Sequence, residues 1–445
     1  MANRMSITEK DLRDHFSQKF SLLKEVHHGD QTKEIDQLRS DAMQAFTSRG
    51  FPTTKDEEYK YTPITRALLK SVKVPTDIPV EAAMVPPFGE HLIPGLDGYL
   101  MVFWNGKLVF KTDDIPEQVT IETMDDFSPD QNGLTGYLGK LINTQKDPFA
   151  VLNTALLDQG TVITINKGAQ LDRPLILYHL SDSSKGIVYS QSRKLILARQ
   201  DSAATVVEIY KNLASEHESF HNTASEIYLE QNSRLDLYKI QTECSGAIQV
   251  DNTHIDQEKN SQIHCNTVTT SGNLVRNNLN IAINGEYCES HMTGLYLVNG
   301  KSHVDNHTLV DHRIANSYSN ELYKGIVDDA ATGVFNGKIY VQPDAQKTNA
   351  FQSNKNILLS DTASMNTKPQ LEIWANDVKC THGATTGQLD EDQVFYLRAR
   401  GLDEKQAKGL LLYAFATEFL DTVSLPVLRE YLEKVIASRL YHLES

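Results

Sequence analysis

The chain has 445 residues, with 43 Lys and Arg against 58 Asp and Glu, which leaves a formal charge of −15. Single cores stop growing at about 250–300 residues, so this length implies two or three structural units. An acidic surface with no Lys/Arg-rich run repels phosphate backbones, and no nucleic-acid partner is expected.

Cys244, Cys265, Cys288 and Cys380 are too few for a disulfide scaffold, and none lies in a C-x-x-C pair, so reduced thiols are expected. The N-terminus is charged where a signal peptide would be apolar. No apolar run approaches the ~20 residues that cross a bilayer, so a soluble cytoplasmic protein with no membrane partner is expected.

In chain order, the first ~60 residues read as two helices. Thr8 with Asp11 marks the first N-terminus, Leu12, Phe16 and Leu23 then Ile35, Leu38, Ala42 and Phe46 make the apolar stripes, and Gly50 stops the second helix. Pro79, Pro86, Pro87 and Pro94 break any periodicity between Thr76 and Gly95, which reads as a linker. A hairpin turning on Asn105-Gly106 follows, then a short helix capped by Asp147 with Pro148 in its first position.

From Gly160 to Gly387 short alternating segments recur, such as Val162–Ile165, Val206–Ile209 and Ile339–Val341, with no helical period between them. Asn-Gly turns are sparse, at Asn284-Gly285, Asn299-Gly300 and Asn336-Gly337, while Asn, Ser, Thr and Asp are scattered through the strands. A parallel β-helix tolerates such residues as ladders between coils, but no strict period is visible, and the pattern alone leaves a large sandwich open as well. Asp403 with Gln406 opens a C-terminal helix, and Pro426 starts another; these helices read either as a cap on the end of a stack or as a docking surface. The divisions are 1–75, an N-terminal helical region; 76–159, linker, hairpin and short helix; 160–387, the β core; and 388–445, a C-terminal helical region.

Three constellations carry possible chemistry. His217-Glu218-Ser219-Phe220-His221 matches H-E-x-x-H, but zinc binding by that motif requires a helix, and here it lies between strand-like segments, so two polar strand or loop histidines are preferred. His303, Asp305 and His307 share a face of one strand, but the outer two are ~13 Å apart, which favours a structural ladder over a metal site. Cys380 and His382, two apart on a strand, project to one side and supply half of a site for iron or a cluster; the structural alternative is a packed thiol beside a hydrogen-bonded imidazole. No phosphate-binding loop, dinucleotide fingerprint or nucleophile elbow occurs, so no nucleotide hydrolysis by the chain itself and no obvious nucleophile are expected.

The segments VDNHTLVDH (Val304–His312), SNELYKG (Ser319–Gly325), FNGKIYV (Phe335–Val341), DAQKTNAFQSNKNILLSD (Asp344–Asp361) and KPQLEIWANDVKCTHGATTGQLDEDQVFYLRARG (Lys368–Gly401) closely resemble the SufB/SufD family of iron–sulfur cluster assembly. GFPTTKDEEYKYTP (Gly50–Pro63) is similar to an N-terminal signature of the family's SufD branch, and the resemblance is thinner from Ser71 to Gly300. It implies a mainly β fold, a right-handed parallel β-helix (solenoid) core flanked by N-terminal and C-terminal α-helical regions. It also implies a non-catalytic scaffold that pairs with SufB through the β-helix ends and binds SufC, an ABC-type ATPase, through the C-terminal helices.

SufB-type sequences carry Glu at the position of Gly383 and additional cysteines; Cys380-Thr381-His382-Gly383 looks like the SufD pattern. Ile314-Ala315 and Trp374–Asp377 depart from the family's usual residues without touching a named role. The resemblance gives His382 the role of an interface metal ligand, with Cys380 second. No tightly bound cofactor is expected in the isolated chain; iron or an iron–sulfur cluster would be held transiently in the complex, where a reduced flavin is a further candidate. A homodimer in isolation is open. The competing readings are a β-helix enzyme acting on polysaccharide and a zinc metallopeptidase using His217 and His221.

Overall fold

The structure is a computed structural model that describes residues 7–26, 33–71, 87–123, 136–142, 147–158, 160–184, 186–214, 218–242 and 246–441. Most of the linker between Thr76 and Gly95, together with His217 and Cys244, lies outside the described residues.

Helix α1 (Glu9–Val26) begins where Thr8 N donates to Asp11 Oδ2 at 2.8 Å and Asp11 N donates back to Thr8 Oγ1 at 3.2 Å. Helix α2 (Lys33–Arg49) ends at Gly50, whose φ of +76° is the left-handed stop that glycine supplies at least cost. A third helix, α3 (Ile64–Ser71), follows the Gly50–Pro63 segment. The hairpin of β1 (Tyr99–Trp104) and β2 (Lys107–Lys111) turns on Asn105 and Gly106, both at positive φ. Helix α4 (Pro148–Ala155) is capped as expected, the Asp147 side chain accepting from the Phe149 and Ala150 amides.

The remaining strands alternate between two sheets. One holds the hairpin and every second strand from Leu175–Asp182 to Lys379–Gly387, and the other holds Val119–Thr123 and every second strand from Gly160–Ile165 to Ser364–Ile373, so strands two apart in sequence are neighbours. From β4 (Gly160–Ile165) and β5 (Leu175–Asp182) to β18 (Ser364–Ile373) and β19 (Lys379–Gly387), these neighbours are parallel. This is the expected parallel β-solenoid. The antiparallel hairpin and β3 (Val119–Thr123) close its first end.

The scattered polar residues are ladders between coils. At one corner Asp201, Asn232, Asn260 and Asn316 all take φ near +60°, a conformation that Asn and Asp adopt more readily than other side chains. Asn260 Nδ2 donates to Asn232 Oδ1 at 3.0 Å and Asn232 Nδ2 to Asp201 Oδ1 at 2.7 Å. Asn336-Gly337, read as a turn, instead lies within β16 (Thr332–Val341), paired on both sides. A Cβ at Gly337 would overlap the Gln352 amide and the Phe335 ring, so close packing across the coil explains this glycine.

The core between the sheets has an apolar stripe in the early coils, with Leu175, Val206, Leu235, Leu237 and Ile263. The N-terminal helices pack Leu12, Phe16 and Phe46 on the outer face of the second sheet, against Phe220, Ile248, Val250 and Leu274. At the C-terminus α5 (Glu391–Ala399), α6 (Glu404–Leu420) and α7 (Pro426–Tyr441) follow; Asp403 and Gln406 form the expected capping box. Leu412, Phe419, Leu428 and Leu432 cover Val207, Ile209, Leu295 and Ile326 on the outer face of the first sheet. The tail therefore lies along the side of the solenoid, because its apolar stripe matches an apolar sheet face, and the reading of a cap on the end of the stack is corrected. Among the described residues no helix is long and apolar enough to cross a membrane.

Candidate functional site

The last coil is unlike the others. β19 pairs with β17 (Asn349–Leu358) and β18 with β16, and among the described residues neither has a partner on its other edge. Parallel register places Cys380, His382, Ala384 and Thr386 over Ala350, Gln352, Asn354 and Asn356, which are all buried. The four end residues thus continue the interior face, and with no further coil above them His382 is exposed. Trp374, just after β18, is 47 % exposed at the same end.

Cys380 is half-buried against Ile339, Val341, Ala345, Ala350 and Ala375, and burial pushes its thiol up. A protonated thiol is a poor ligand until a metal displaces its proton. A Cβ at Gly383, on the opposite face of the strand from His382, would meet nothing within 4 Å. The two backbones are ~6.6 Å apart, close enough for both donors to reach one ion. No group of three or more His, Cys, Asp or Glu side chains is placed to hold a metal among the described residues. A sulfur and a nitrogen fill two positions, and iron in clusters takes four ligands.

In the two coils below, the interior column under His382 is polar. Gln352 pairs in register with His382 and Glu321, on β15 (Tyr318–Val327), with Gln352. Gln352 Nε2 donates to Glu321 Oε2 at 2.7 Å. Glu321 is 1 % exposed, and burial pushes its carboxyl up to about 7 against the hydrogen bonds from Thr308 and Gln352. Glu321 Oε1 and Gln352 Oε1 are buried without a hydrogen-bond partner of ordinary geometry among the described residues. Other deeply buried carboxylates have cations: Glu226 pairs with Arg193 at 2.5 Å, Glu208 with Lys194 at 3.1 Å, Asp305 with Arg276 at 2.5 Å and Asp251 with Lys239. Sequence reading missed this pair, although both residues lie in the quoted segments Ser319–Gly325 and Asp344–Asp361; only the inter-coil register brings them under His382.

Among the described residues the other histidines do not make a metal site. His303 Nε2 lies 3.0 Å from Thr62 Oγ1 and His307 lies 2.9 Å from Asp305, while Arg276 sits between Asp305 and the face of Tyr59, 4.0 Å from the ring centroid. A guanidinium at the centre of the cluster repels a cation. His307 and Arg276 hold the Asp305 carboxyl well below the usual carboxylate range despite its burial. These contacts seat the Gly50–Pro63 segment on the outer face of the second sheet. His312 turns inward to Ser319 at 2.9 Å. His221 lies on strand β8 (Ser219–Leu229), 2.7 Å from Ser190 Oγ, and burial pushes it down to about 4, so the helical spacing required for H-E-x-x-H zinc binding is not met.

On the tail, Phe395 at 72 %, Tyr396 at 57 % and Leu410 at 42 % exposure leave an apolar patch on α5 and α6. Beside it a shallow groove is lined by Gln393, Tyr396, Leu397 and Leu411.

A model of the SufBD core domain of the SUF system for FeS cluster assembly matches residues 179–415, and a model of the SufBD N-terminal region matches 7–177. An iron–sulfur cluster assembly SufBD family protein of Synechocystis is 30 % identical over 447 residues, covering 94 % of this chain and 98 % of that protein. The cluster assembly protein SufD of Escherichia coli is 29 % identical, covering 94 % and 96 %, and SufD of Bacillus subtilis is 24 % identical, covering 66 % and 67 %.

Proposed function

The chain belongs to the SufBD family of iron–sulfur cluster assembly proteins, and from that premise we propose that it is a non-catalytic scaffold that completes a cluster site only when joined to a sister subunit of the SufB type. The observation that carries this reading is His382: an exposed imidazole on the unpaired end strand of the solenoid, with one thiol beside it and too few donors to hold iron alone. The free edges of β18 and β19 present backbone N–H and C=O groups that a second solenoid end can pair with. His382 is then the first ligand for iron or a nascent cluster and Cys380 the second, with the remaining donors from the partner.

The patch at Phe395, Tyr396 and Leu410 supports docking of the SufC ATPase on the C-terminal helices. Deleting the tail after Gly401 would strip Leu412, Phe419 and Leu428 from the sheet they cover, so it tests folding as well as docking. Phe395→Asp is the cleaner perturbation: SufC is lost from the complex while the chain keeps its melting temperature, and undiminished SufC binding refutes the docking surface.

The main reading is tested by His382→Ala in the reconstituted three-protein complex. Cluster yield falls, while the stability of the isolated chain changes by no more than ~0.5 kcal/mol, as for other exposed positions. Wild-type yield from the variant overturns it.

A further inference from the structure

Glu321 is a deeply buried carboxyl with no ion pair among the described residues, in a molecule that pairs its comparable carboxylates with Lys or Arg. Its polar partners are the Thr308 hydroxyl and the Gln352 amide, and that amide lies one coil beneath the candidate iron ligand. We propose that Glu321 and Gln352 are positioning residues for His382: the carboxylate fixes the Gln352 amide so that its carbonyl oxygen accepts the ring N–H of His382 and presents the other ring nitrogen to iron.

The chemistry is directional. The NH₂ end of Gln352 faces Glu321, donating to Oε2 at 2.7 Å, and the amide's carbonyl oxygen is left for another donor. That oxygen is buried and unpartnered among the described residues. Parallel strands stack at ~4.8 Å, and His382 and Gln352 share the interior face, so an amide oxygen and a ring N–H on adjacent rungs are within hydrogen-bond reach. Glu321 itself is two rungs, ~10 Å, from His382, too far to share one ion with it, so its effect passes through the amide.

Gly337 supplies the room. On the facing strand β16 its missing side chain leaves the space in which the Gln352 amide lies. Met292 stands in register one coil further in, where the polar column stops. Metal-bound histidines as a class donate their second ring N–H to a carboxylate, carbonyl or water, which fixes tautomer and ring orientation; losing that partner costs 10–100-fold in metal affinity. The amide at the open end is such a partner, and the carboxylate beneath keeps it from turning over.

The inference rests on the reading of His382 as an iron ligand, and the test separates the two. In the reconstituted complex, cluster formation is followed as ferrous iron is titrated, with thermal melts of every variant. Gln352→Leu removes the acceptor, and Glu321→Gln lets residue 321 donate to the Gln352 carbonyl and turn it away from His382. Both are expected to raise the half-saturating iron concentration ~10-fold, with the maximal yield at high iron retained. Gln352→Glu, which keeps an acceptor and can share one proton with Glu321, restores it to within a few-fold.

A merely structural role would lower stability and yield together and would not be rescued by the conservative variant. Wild-type iron dependence in Gln352→Leu overturns the inference. A shift in Gln352→Leu with none in Glu321→Gln removes Glu321 from it. Wild-type iron dependence in His382→Ala instead refutes the ligand reading on which it stands.

Discussion

Replacing Glu321 with Gln should make the protein more stable at neutral and alkaline pH and no more stable in acid. The folded chain raises the Glu321 carboxyl from its ordinary value of 4.5 to about 7, because burial penalises the charge and only Thr308 and Gln352 oppose it. A raised acid favours its protonated form in the folded state. Below pH 4.5 the group is protonated in both states and costs nothing. Between 4.5 and 7 the unfolded chain ionises first, so stability is lost as the pH rises, and above 7 the loss is complete. At ~1.36 kcal/mol per unit, the full difference is about 3 kcal/mol.

Glutamine cannot ionise, so Glu321→Gln recovers that amount at pH 8 and nothing near pH 4. With an unfolding entropy of ~2.1 cal/mol/K per residue, a cooperative transition of a chain this size moves by about 3 °C. Paired melting curves of wild type and variant across pH 4–8 measure it. A constant offset between the curves would refute the reasoning, as would convergence at high pH. The same substitution is expected to impair iron use, so the more stable protein is the poorer scaffold, as at other sites where function requires a strained group.

Other changes probe the supports of the site. Arg276→Met leaves Asp305 charged and buried without its cation, and is expected to cost 3–5 kcal/mol in urea unfolding and to open Gly50–Pro63 to proteolysis; adding Asp305→Leu should return more than ~1 kcal/mol of it. Equal stability of Arg276→Met and wild type would contradict the pairing. Gly337→Val puts a side chain where the Gln352 amide lies, so it should destabilise by ~1–3 kcal/mol and raise the half-saturating iron concentration together. Gly383→Lys meets no neighbour within the chain, so it should leave the melting temperature unchanged while weakening pairing with the sister subunit in a co-purification assay.

Local chemistry was legible from residues. The Thr8 and Asp147 caps, the Asn105-Gly106 hairpin and the Asp403-Gln406 box each depend on contacts between close neighbours, and each formed as read. The solenoid was only half legible, because its period is uneven: 26 residues separate Ile248 from its in-register partner Leu274, and 33 separate Gly160 from Arg193. Strand length and corner loops absorb the difference, so no fixed repeat shows, although the left-handed corners at Asp201, Asn232 and Asn260 carried it. Asn336-Gly337 misled because a glycine demanded by packing across the coil looks like one demanded by a turn. The tail's stripe identified an apolar face but not the surface that covers it. His382 and Cys380 were singled out as a pair and given their role through resemblance; Glu321 and Gln352, 31 residues apart, and Gln352 and His382, 30 apart, become neighbours only through the register.

The most direct measurement is iron and acid-labile sulfide content, determined on this chain alone and on its co-expressed complex, each with His382 intact and with His382→Ala. A half-site completed by a second subunit predicts little of either element in the isolated chain, both in the complex, and loss from the complex when the imidazole is removed. Iron and sulfide held equally by the isolated chain, or by the His382→Ala complex, would contradict it.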